Sequence, residues 1–421
     1  MSKYPLSKLN VAADIIPGFA FKSGEFGDTG NVVVKIKDIT PPIINISEAD
    51  KVDISKYSPN KLKKYELHKG DFVIAMTGAT IGKVGRHISD DVLYINQRVA
   101  KIEPKKTFDK SFVYYAIQGR YFLEFILNRL DSSSAQGNIS ADGIGEYLIP
   151  SPDIVTQQKI AAVLSALDAK IELNTRINAE LEAMAKTLYD YWFVQFDFPN
   201  ADGKPYKSSG GAMVWNDALK RAIPAGWEVG ELQDIANITM GQSPPGESYN
   251  EEGNGMIFFQ GCTDFGSRFP TIRQFTTQPT RFAKAGDILL SVRAPVGTIN
   301  IAKENCCIGR GLAALNSKDD CISYLFGVMN NLKQIFDRRN VDGTTFGSIT
   351  KNDLFSLKVL KPDKQILKQY QNVINPVFEK QNKIELENHT LAALRDWLLP
   401  LLMNGQAAVG VNSPSRRDAR A

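Results

Sequence analysis

Apolar and polar positions along the chain alternate between two rhythms, and the whole succession occurs twice. Short apolar runs such as Asn31-Val32-Val33-Val34 and Asp287-Ile288-Leu289-Leu290-Ser291-Val292 are bounded by Gly, Pro and Asp, the signature of strands between turns. Brief helical patterns follow, from Phe112 to Leu130 and from Ile322 to Asp337. From about Thr156 to Phe193 the spacing becomes alternating threes and fours, or multiples of them, through Ile160, Leu164, Leu167, Ile171, Leu181, Leu188 and Trp192. Ile366, Tyr370, Val373, Val377, Ile384, Leu391, Leu398 and Leu402 keep the same rhythm near the C-terminus. This is the seam of a coiled coil. At ~1.5 Å rise, about 36 helical residues make a rod of roughly 54 Å. Pro376 interrupts the second seam and predicts a kink there. Asn174 and Asn178 fall on first-helix seam positions, where a buried polar side chain fixes register; a seam carried by Ile177, with both Asn exposed, is the alternative.

The duplication is detailed. Gly70-Asp71-Phe72-Val73-Ile74 returns as Gly286-Asp287-Ile288-Leu289-Leu290, and Ala79-Thr80-Ile81-Gly82 as Ala294-Pro295-Val296-Gly297. Ile95-Asn96-Gln97-Arg98-Val99-Ala100 then matches Ile308-Gly309-Arg310-Gly311-Leu312-Ala313. Gln136-Gly137-Asn138-Ile139-Ser140 faces Phe346-Gly347-Ser348-Ile349-Thr350, and Pro152 faces Pro362. The order and spacing of elements are kept throughout, as in an internal repeat.

The expected architecture is α+β: two similar β-rich domains, each followed by a long helix, related as a pseudo-two-fold internal repeat. The divisions fall at 1–152 for the first β-rich domain, 153–198 for the central helix and 199–222 for a polar, Gly/Ser-rich linker. The second β-rich domain takes 223–362, the C-terminal helix 363–406, and a disordered tail 407–421. Two similar halves in one chain pack as two subunits of a dimer would. Were the long helices to pair antiparallel, the β-rich parts would become two heads held apart, able to meet duplex DNA about a turn (~34 Å) or more apart. Unlike heads read unlike half-sites.

Composition narrows the class without naming it. Of 421 residues, 43% are hydrophobic and 23% charged, as in a soluble globular chain of several domains. No apolar run reaches the ~20 residues needed to span a bilayer, and the first ten residues lack a signal-peptide core, so a cytoplasmic location is the default. A net charge of +4 is mildly basic, which many enzymes share. The four cysteines, Cys262, Cys306, Cys307 and Cys321, lack C-x-x-C spacing and only three histidines accompany them, so buried free thiols are expected and no metal site.

Two motifs resemble nucleotide sites and fail on context. Gly78-Ala79-Thr80-Ile81-Gly82-Lys83-Val84 has glycines one residue too close for a phosphate-binding loop, and Val where Ser or Thr must hold magnesium. It is expected to be strand, turn and strand. Gly309-Arg310-Gly311-Leu312-Ala313-Ala314 fits G-x-G-x-x-A but lacks a βαβ context. Nucleic acid suits these segments better. Arg98 and Arg310 can make bidentate contacts to guanine, and Gln97 to adenine; a solvated or ion-paired side chain is the plain alternative. Matched polar loops contribute Ser134, Gln136 and Asn138 in the first repeat and Thr344, Thr345 and Ser348 in the second. Lys35, Lys37, Lys83, Arg86, Arg268, Arg273 and Arg293 supply positive charge on the same β-rich parts. The helix ends, with Tyr189, Trp192, Phe193, Trp397 and Leu401, carry more apolar bulk than a two-helix seam buries. They are candidates for partner docking, with packing onto the chain's own domains as the alternative.

Taken in order, these phrases resemble the specificity subunit of type I restriction–modification systems. The resemblance covers nearly the whole chain. It rests on the paired Gly-Asp strands, on Gln136-Gly137-Asn138-Ile139 and Phe346-Gly347-Ser348-Ile349, and on Pro152 to Ile160 (Pro-x-x-x-x-Gln-Gln-Lys-Ile). Ile223-Pro224-Ala225-Gly226-Trp227-Glu228-Val229 adds the start of a second target recognition domain. The resemblance implies two target recognition domains separated by helices in an antiparallel coiled coil, reading a bipartite, non-palindromic double-stranded DNA target. It further implies docking of two methyltransferase subunits and of restriction (motor–nuclease) subunits, with S-adenosylmethionine and ATP/Mg held by those partners and no cofactor or catalytic residue in this chain. The second helix departs by opening with Pro362-Asp363-Lys364-Gln365-Ile366, without the Gln-Gln pair.

Two other functions compete with this one. A fused adenine methyltransferase needs an Asn/Asp-Pro-Pro-Tyr/Phe loop for the flipped base, and neither Thr40-Pro41-Pro42-Ile43 nor Ser243-Pro244-Pro245-Gly246 fits. A coiled-coil scaffold with two unrelated heads would show no sequence-selective DNA affinity even with partners present.

Overall fold

The computed structural model describes residues 3–130, 137–341 and 348–407. The chain folds as two compact units, Met1–Ile171 with Thr390–Ala421, and Glu172–His389. The unit boundaries fall inside the two long helices.

Each unit is built on one sheet motif. In the first, strands Ala13–Pro17, Val99–Pro104, Phe72–Ala75 and Val84–Arg86 lie side by side in that order, extended by Ile43–Ile44 and Ile39–Thr40. In the second, Ala236–Met240, Leu312–Ser317, Ile288–Ser291 and Ile299–Ile301 take the same places. A second sheet also repeats: Asn31–Val34 runs parallel to Leu93–Ile95, and Met256–Phe259 parallel to Cys306–Ile308. An antiparallel pair closes each domain, Leu6–Lys8 with Leu148–Pro150 and Glu228–Glu231 with Lys358–Lys361.

The repeated Gly-Asp pair has a local physical cause. Gly70 and Gly286 adopt positive φ (86° and 91°), which only glycine takes without steric cost. The following carboxylate closes the turn by accepting from the backbone three residues back: His68 N to Asp71 Oδ2 at 2.9 Å, and Lys284 N to Asp287 Oδ2 at 2.8 Å. The strand after it is buried at every position in both repeats, Phe72–Ala75 and Ile288–Ser291. The Gly78–Gly82 segment is a strand-turn-strand, as expected: a short 3-10 turn, Gly78–Thr80, joins Phe72–Ala75 to its antiparallel neighbour Val84–Arg86. Cys306, Cys307 and Cys321 are buried free thiols, and Cys262 is a half-buried one.

The first long helix runs Ile154–Tyr189, 36 residues, and the second Lys364–Met403, 40 residues, unbroken through Pro376. Asp153 caps the first by accepting from Thr156 N (2.9 Å) and Thr156 Oγ1 (2.7 Å), bonds that hold its carboxyl below the usual range. Gln157, buried, then ties the helix to its domain: it accepts from Asp109 N and donates to Pro152 O, both at 2.9 Å. Leu367 occupies the corresponding place in the second helix (Gln157 and Leu367 are 210 residues apart, as are Pro152 and Pro362), so the missing Gln is replaced by a buried apolar contact.

Within each unit the helices run antiparallel. In the first, Arg395 Nη1 reaches Asp168 Oδ1 at 3.0 Å, and Leu402 and Met403 join a core with Ile160 and Leu164. In the second, Asn174 Nδ2 donates to Glu387 Oε2 (2.8 Å), while Asn178 Nδ2 lies 3.4 Å from Gln381 O and from Glu385 Oε2. Asn174 is buried (1% exposed), so the seam does carry polar residues and the alternative through Ile177 falls. Val373, expected on the seam, is 51% exposed, and Ile374 (1%) faces the core instead.

The first helix ends in a π turn, Asp190–Val194, which brings Trp192 and Phe193 to the same core. The segment expected to be a linker is ordered. Phe198 stacks on Tyr206 (4.7 Å) and on Trp227 (5.0 Å), and Met213–Asn216 pairs with Arg221–Pro224 as a hairpin. Aromatic stacking at its two ends offsets its Gly/Ser composition. The tail beyond residue 407 lies outside the described residues.

Candidate nucleic-acid interface

The loops that the sequence matched between repeats converge, in each unit, at one end of the main sheet. In the first unit Met76 N donates to Arg98 O (3.0 Å), Ile139 N donates to Met76 O (3.0 Å), and Thr77 bridges Asn138. In the second, Val292 N donates to Gly311 O (2.9 Å), Ile349 N to Val292 O (2.8 Å), and Arg293 bridges Ser348. A fourth strand end joins each cluster by a glycine packed on a backbone carbonyl. A Cβ on Gly18 would lie 2.3 Å from Asn96 O, and one on Gly241 2.1 Å from Gly309 O. Neither contact leaves room for another residue.

Side chains displayed there differ between the units. Gln97 and Arg98 are exposed on the tight turn closed by Val99 N to Asn96 O (2.8 Å), with Asn138 exposed beside them. Arg310, the positional equivalent of Gln97, is exposed in the second unit, as are Arg293 and Ser348. Sequence reasoning missed Ser243 and Gln260, which shape this cluster: Ser243 Oγ lies 2.9 Å from Gln260 Nε2 and receives Arg310 N at 3.3 Å. Nothing in the first repeat pairs with them in sequence, so the repeat gave no signal. Ser134, Gln136, Thr344 and Thr345 lie outside the described residues.

The remaining cations divide sharply. Lys83 is exposed, and Arg86 is half-buried with its guanidinium 5.0 Å from the centre of the Tyr114 ring. Lys35 and Lys37 share Asp50, at 3.0 and 3.3 Å. The hydrogen bond from Lys35 leads in holding the Asp50 carboxyl below its usual range, and Lys35 also lies over the Phe26 ring. Arg273 reaches Asp264 (3.0 Å) and Glu251 (3.3 Å), and the bond to Asp264 raises its pKa. These three are engaged in ion pairs within the domain, not standing free. Arg268 departs furthest from expectation: it packs against the second long helix, with Nε 2.5 Å from Asn382 Oδ1 and its guanidinium 4.5 Å from the centre of the Phe378 ring.

Of the apolar docking candidates, Tyr189, Trp192 and Phe193 are 7%, 5% and 1% exposed and belong to the second unit's core. Their rings pack on Tyr324, Tyr370 and Trp227, within the unit itself. Trp397 is 62% exposed and Leu401 half-buried. Among the described residues no cluster of His, Cys, Asp or Glu is arranged to hold a metal.

Two copies of one β-rich fold, each followed by a long helix and each presenting the same loop cluster with different side chains, define a duplicated recognition protein. A family model for the type I restriction modification DNA specificity domain matches residues 3–183 and 224–395, and the chain belongs to that family. It is a DNA sequence-specificity subunit and not a catalytic one. The chain assigned as the type I restriction enzyme MjaX specificity subunit of Methanocaldococcus jannaschii is 29% identical over 394 residues, covering 90% of this chain and 88% of that one. The MjaIX specificity subunit of the same organism is 26% identical, over 90% and 93%. A solved S subunit of a type I restriction-modification system from M. genitalium, 16% identical, covers 96% of each chain with a TM-score of 0.57 and shares the fold.

Proposed function

We propose that this chain directs a type I restriction–modification complex to a bipartite, non-palindromic DNA target, each β-rich domain reading one half. The observation that carries this is the pair of equivalent loop junctions, Thr77–Asn138 and Arg293–Ser348, built by the same backbone bonds and dressed with different side chains. Conserved framework with divergent display is what reading two unlike half-sites requires. Gln97, Arg98 and Asn138 in one domain, and Arg293, Arg310 and Ser348 in the other, are the base- or phosphate-contacting candidates, with Lys83 and Arg86 beside the first set. By sequence, Ser134, Gln136, Thr344 and Thr345 are further candidates in the same role.

Catalysis in this reading belongs to partners: two methyltransferase subunits with S-adenosylmethionine, and restriction subunits with ATP and magnesium. The complex works in the cytoplasm; no described helix is long and apolar enough to cross a membrane. For docking, the exposed apolar residues of the helices replace the buried trio. Met184 (60% exposed) and Tyr191 (36%) in the second unit stand 210 residues before Leu394 (40%) and Leu401 in the first, with Trp397 beside the latter pair. Equivalent apolar patches suit two copies of one partner.

The test is a genome-wide map of methylated adenine in cells expressing this chain with its neighbouring methyltransferase. One split motif, non-palindromic and methylated on both strands, is expected. Methylation confined to a continuous palindrome, or none from an assembled complex, contradicts the reading and favours a scaffold without DNA specificity.

A further inference from the structure

The second recognition domain is fastened to the helix pair by a different device from the first. In the first unit the fastening is a carboxylate. Asp168, on the first long helix, accepts from Tyr115 Oη of the domain (2.6 Å) and from Arg395 Nη1 of the second helix (3.0 Å). Burial, followed by the bond to Asp168, raises the Tyr115 pKa well above its usual value and keeps the hydroxyl a donor. The position 210 residues on is Phe378, an aromatic ring without a carboxylate, and there the domain sends in Arg268.

Arg268 sits in a loop that is rigid by its own bonds. Ile301 N donates to Arg268 O (2.9 Å), and the buried Asn300 side chain holds Gly266 from both sides, accepting from its N (3.2 Å) and donating to its O (2.9 Å). The loop is thus bonded to the edge strand of the sheet carrying the recognition cluster, since Ile299–Ile301 pairs with Ile288–Ser291 and Arg293 follows two residues later. From that loop the guanidinium lies over Phe378 (4.5 Å) and Phe326 (5.7 Å), Nε donates to Asn382, and Ser267 Oγ donates to Glu385. Nη2 is buried without a hydrogen-bond partner among the described residues, beside a cavity of about 170 Å³ lined by Asn178, Glu182, Asn300, Gln381 and Glu385. Burial lowers the Arg268 pKa to about 10, opposed by Glu182 and Glu385, so the group stays charged at neutral pH.

We propose that Arg268 is a positioning residue that sets the angle of the second recognition domain on the helix pair, and through it the spacing between half-sites the complex accepts. The inference rests on the specificity function proposed above. A planar cation held against two rings and an amide fixes direction as well as distance, which an apolar contact alone does not. Slackening it leaves base recognition within each half intact and loosens the distance between halves.

The test compares complexes carrying wild-type, Arg268→Met, Arg268→Lys and Asn382→Ala chains by genome-wide adenine methylation. Arg268→Met keeps the apolar stem and removes the charge and the fork. For Arg268→Met and Asn382→Ala, the preference for the target over sites with a spacer one base pair longer or shorter is expected to fall about tenfold, the scale of one lost charge-assisted hydrogen bond. Discrimination against mismatches in the first half-site stays unchanged, and Arg268→Lys lies between. Unchanged spacer preference in an assembled variant complex overturns the proposal. So does an equal loss of methylation at every class of site, which is what a merely structural role gives. Should Arg268→Met fail to assemble, Asn382→Ala carries the same comparison with the arginine in place. A wild-type complex that shows no split motif defeats the specificity reading itself, a result distinct from either.

Discussion

Phe193→Ala is expected to destabilise the second unit by about 3–5 kcal/mol, the usual loss for truncating a fully buried aromatic ring. The residue is 1% exposed, and its ring meets Tyr324 at 4.7 Å, Tyr370 at 4.9 Å, Tyr189 at 5.3 Å and Trp227 at 5.9 Å. These partners come from four segments of the unit: the first helix, the turn leading into the strand Glu228–Glu231, the helix Ile322–Val341 and the second helix. A cavity at their junction cannot be filled by one side chain moving. With roughly 2–4 °C lost per kcal/mol in a unit of this size, thermal unfolding should shift down by about 10 °C. Tyr191→Ala, two residues earlier but exposed, should shift it little. If Phe193→Ala leaves the melting of the isolated chain unchanged and only weakens assembly with the methyltransferase, the ring serves a partner after all and the core assignment is wrong.

Arg310→Ala is expected to relax recognition at one position of one half-site by about 1–3 kcal/mol, roughly 5- to 150-fold in discrimination. Arg310 is exposed on a turn whose backbone is fixed by Ser243 and by Gly309 and Gly311 packed on Gln260, so truncating its side chain leaves the loop in place. The readout is the set of methylated adenines: new sites should carry the other half intact and a substitution at a single position of this half. A uniform drop in methylation with no change of motif assigns Arg310 to a phosphate contact. Relaxation in both halves contradicts the independence of the two domains.

The duplication was readable because its motifs are the ones that build the fold. Gly70-Asp71 and Gly286-Asp287 make one kind of turn, and their following strands are buried throughout. Where the sequence misled, the competing force is identifiable. Val373 and Ile374 are adjacent apolar residues, and a three-four rhythm fits either; the repeat itself selects Ile374, 210 residues after Leu164. The 199–222 segment looked like a linker because Gly, Ser and Lys outnumber the two aromatics, Tyr206 and Trp215, and the stacking of Tyr206 on Phe198 outweighs them. Arg268 and Arg293 are both arginines on the second β-rich domain. Only the fold shows that the first faces Phe378 and Asn382 while the second is exposed beside Ser348. Charge in a sequence has no direction. The end of the first helix misled for a related reason: apolar bulk beyond the seam marked a surface to be covered, and the unit's own helix Ile322–Val341 covers Tyr189 and Phe193 through Tyr324.

The most direct test of the central claim is an exchange of residues 1–150 for those of a relative with a different target, followed by methylation mapping of the assembled complex. Independent domains predict a motif in which one half takes the relative's sequence while the other half keeps its own. A motif changed in both halves, or in neither, would contradict the assignment of one half-site to each repeat.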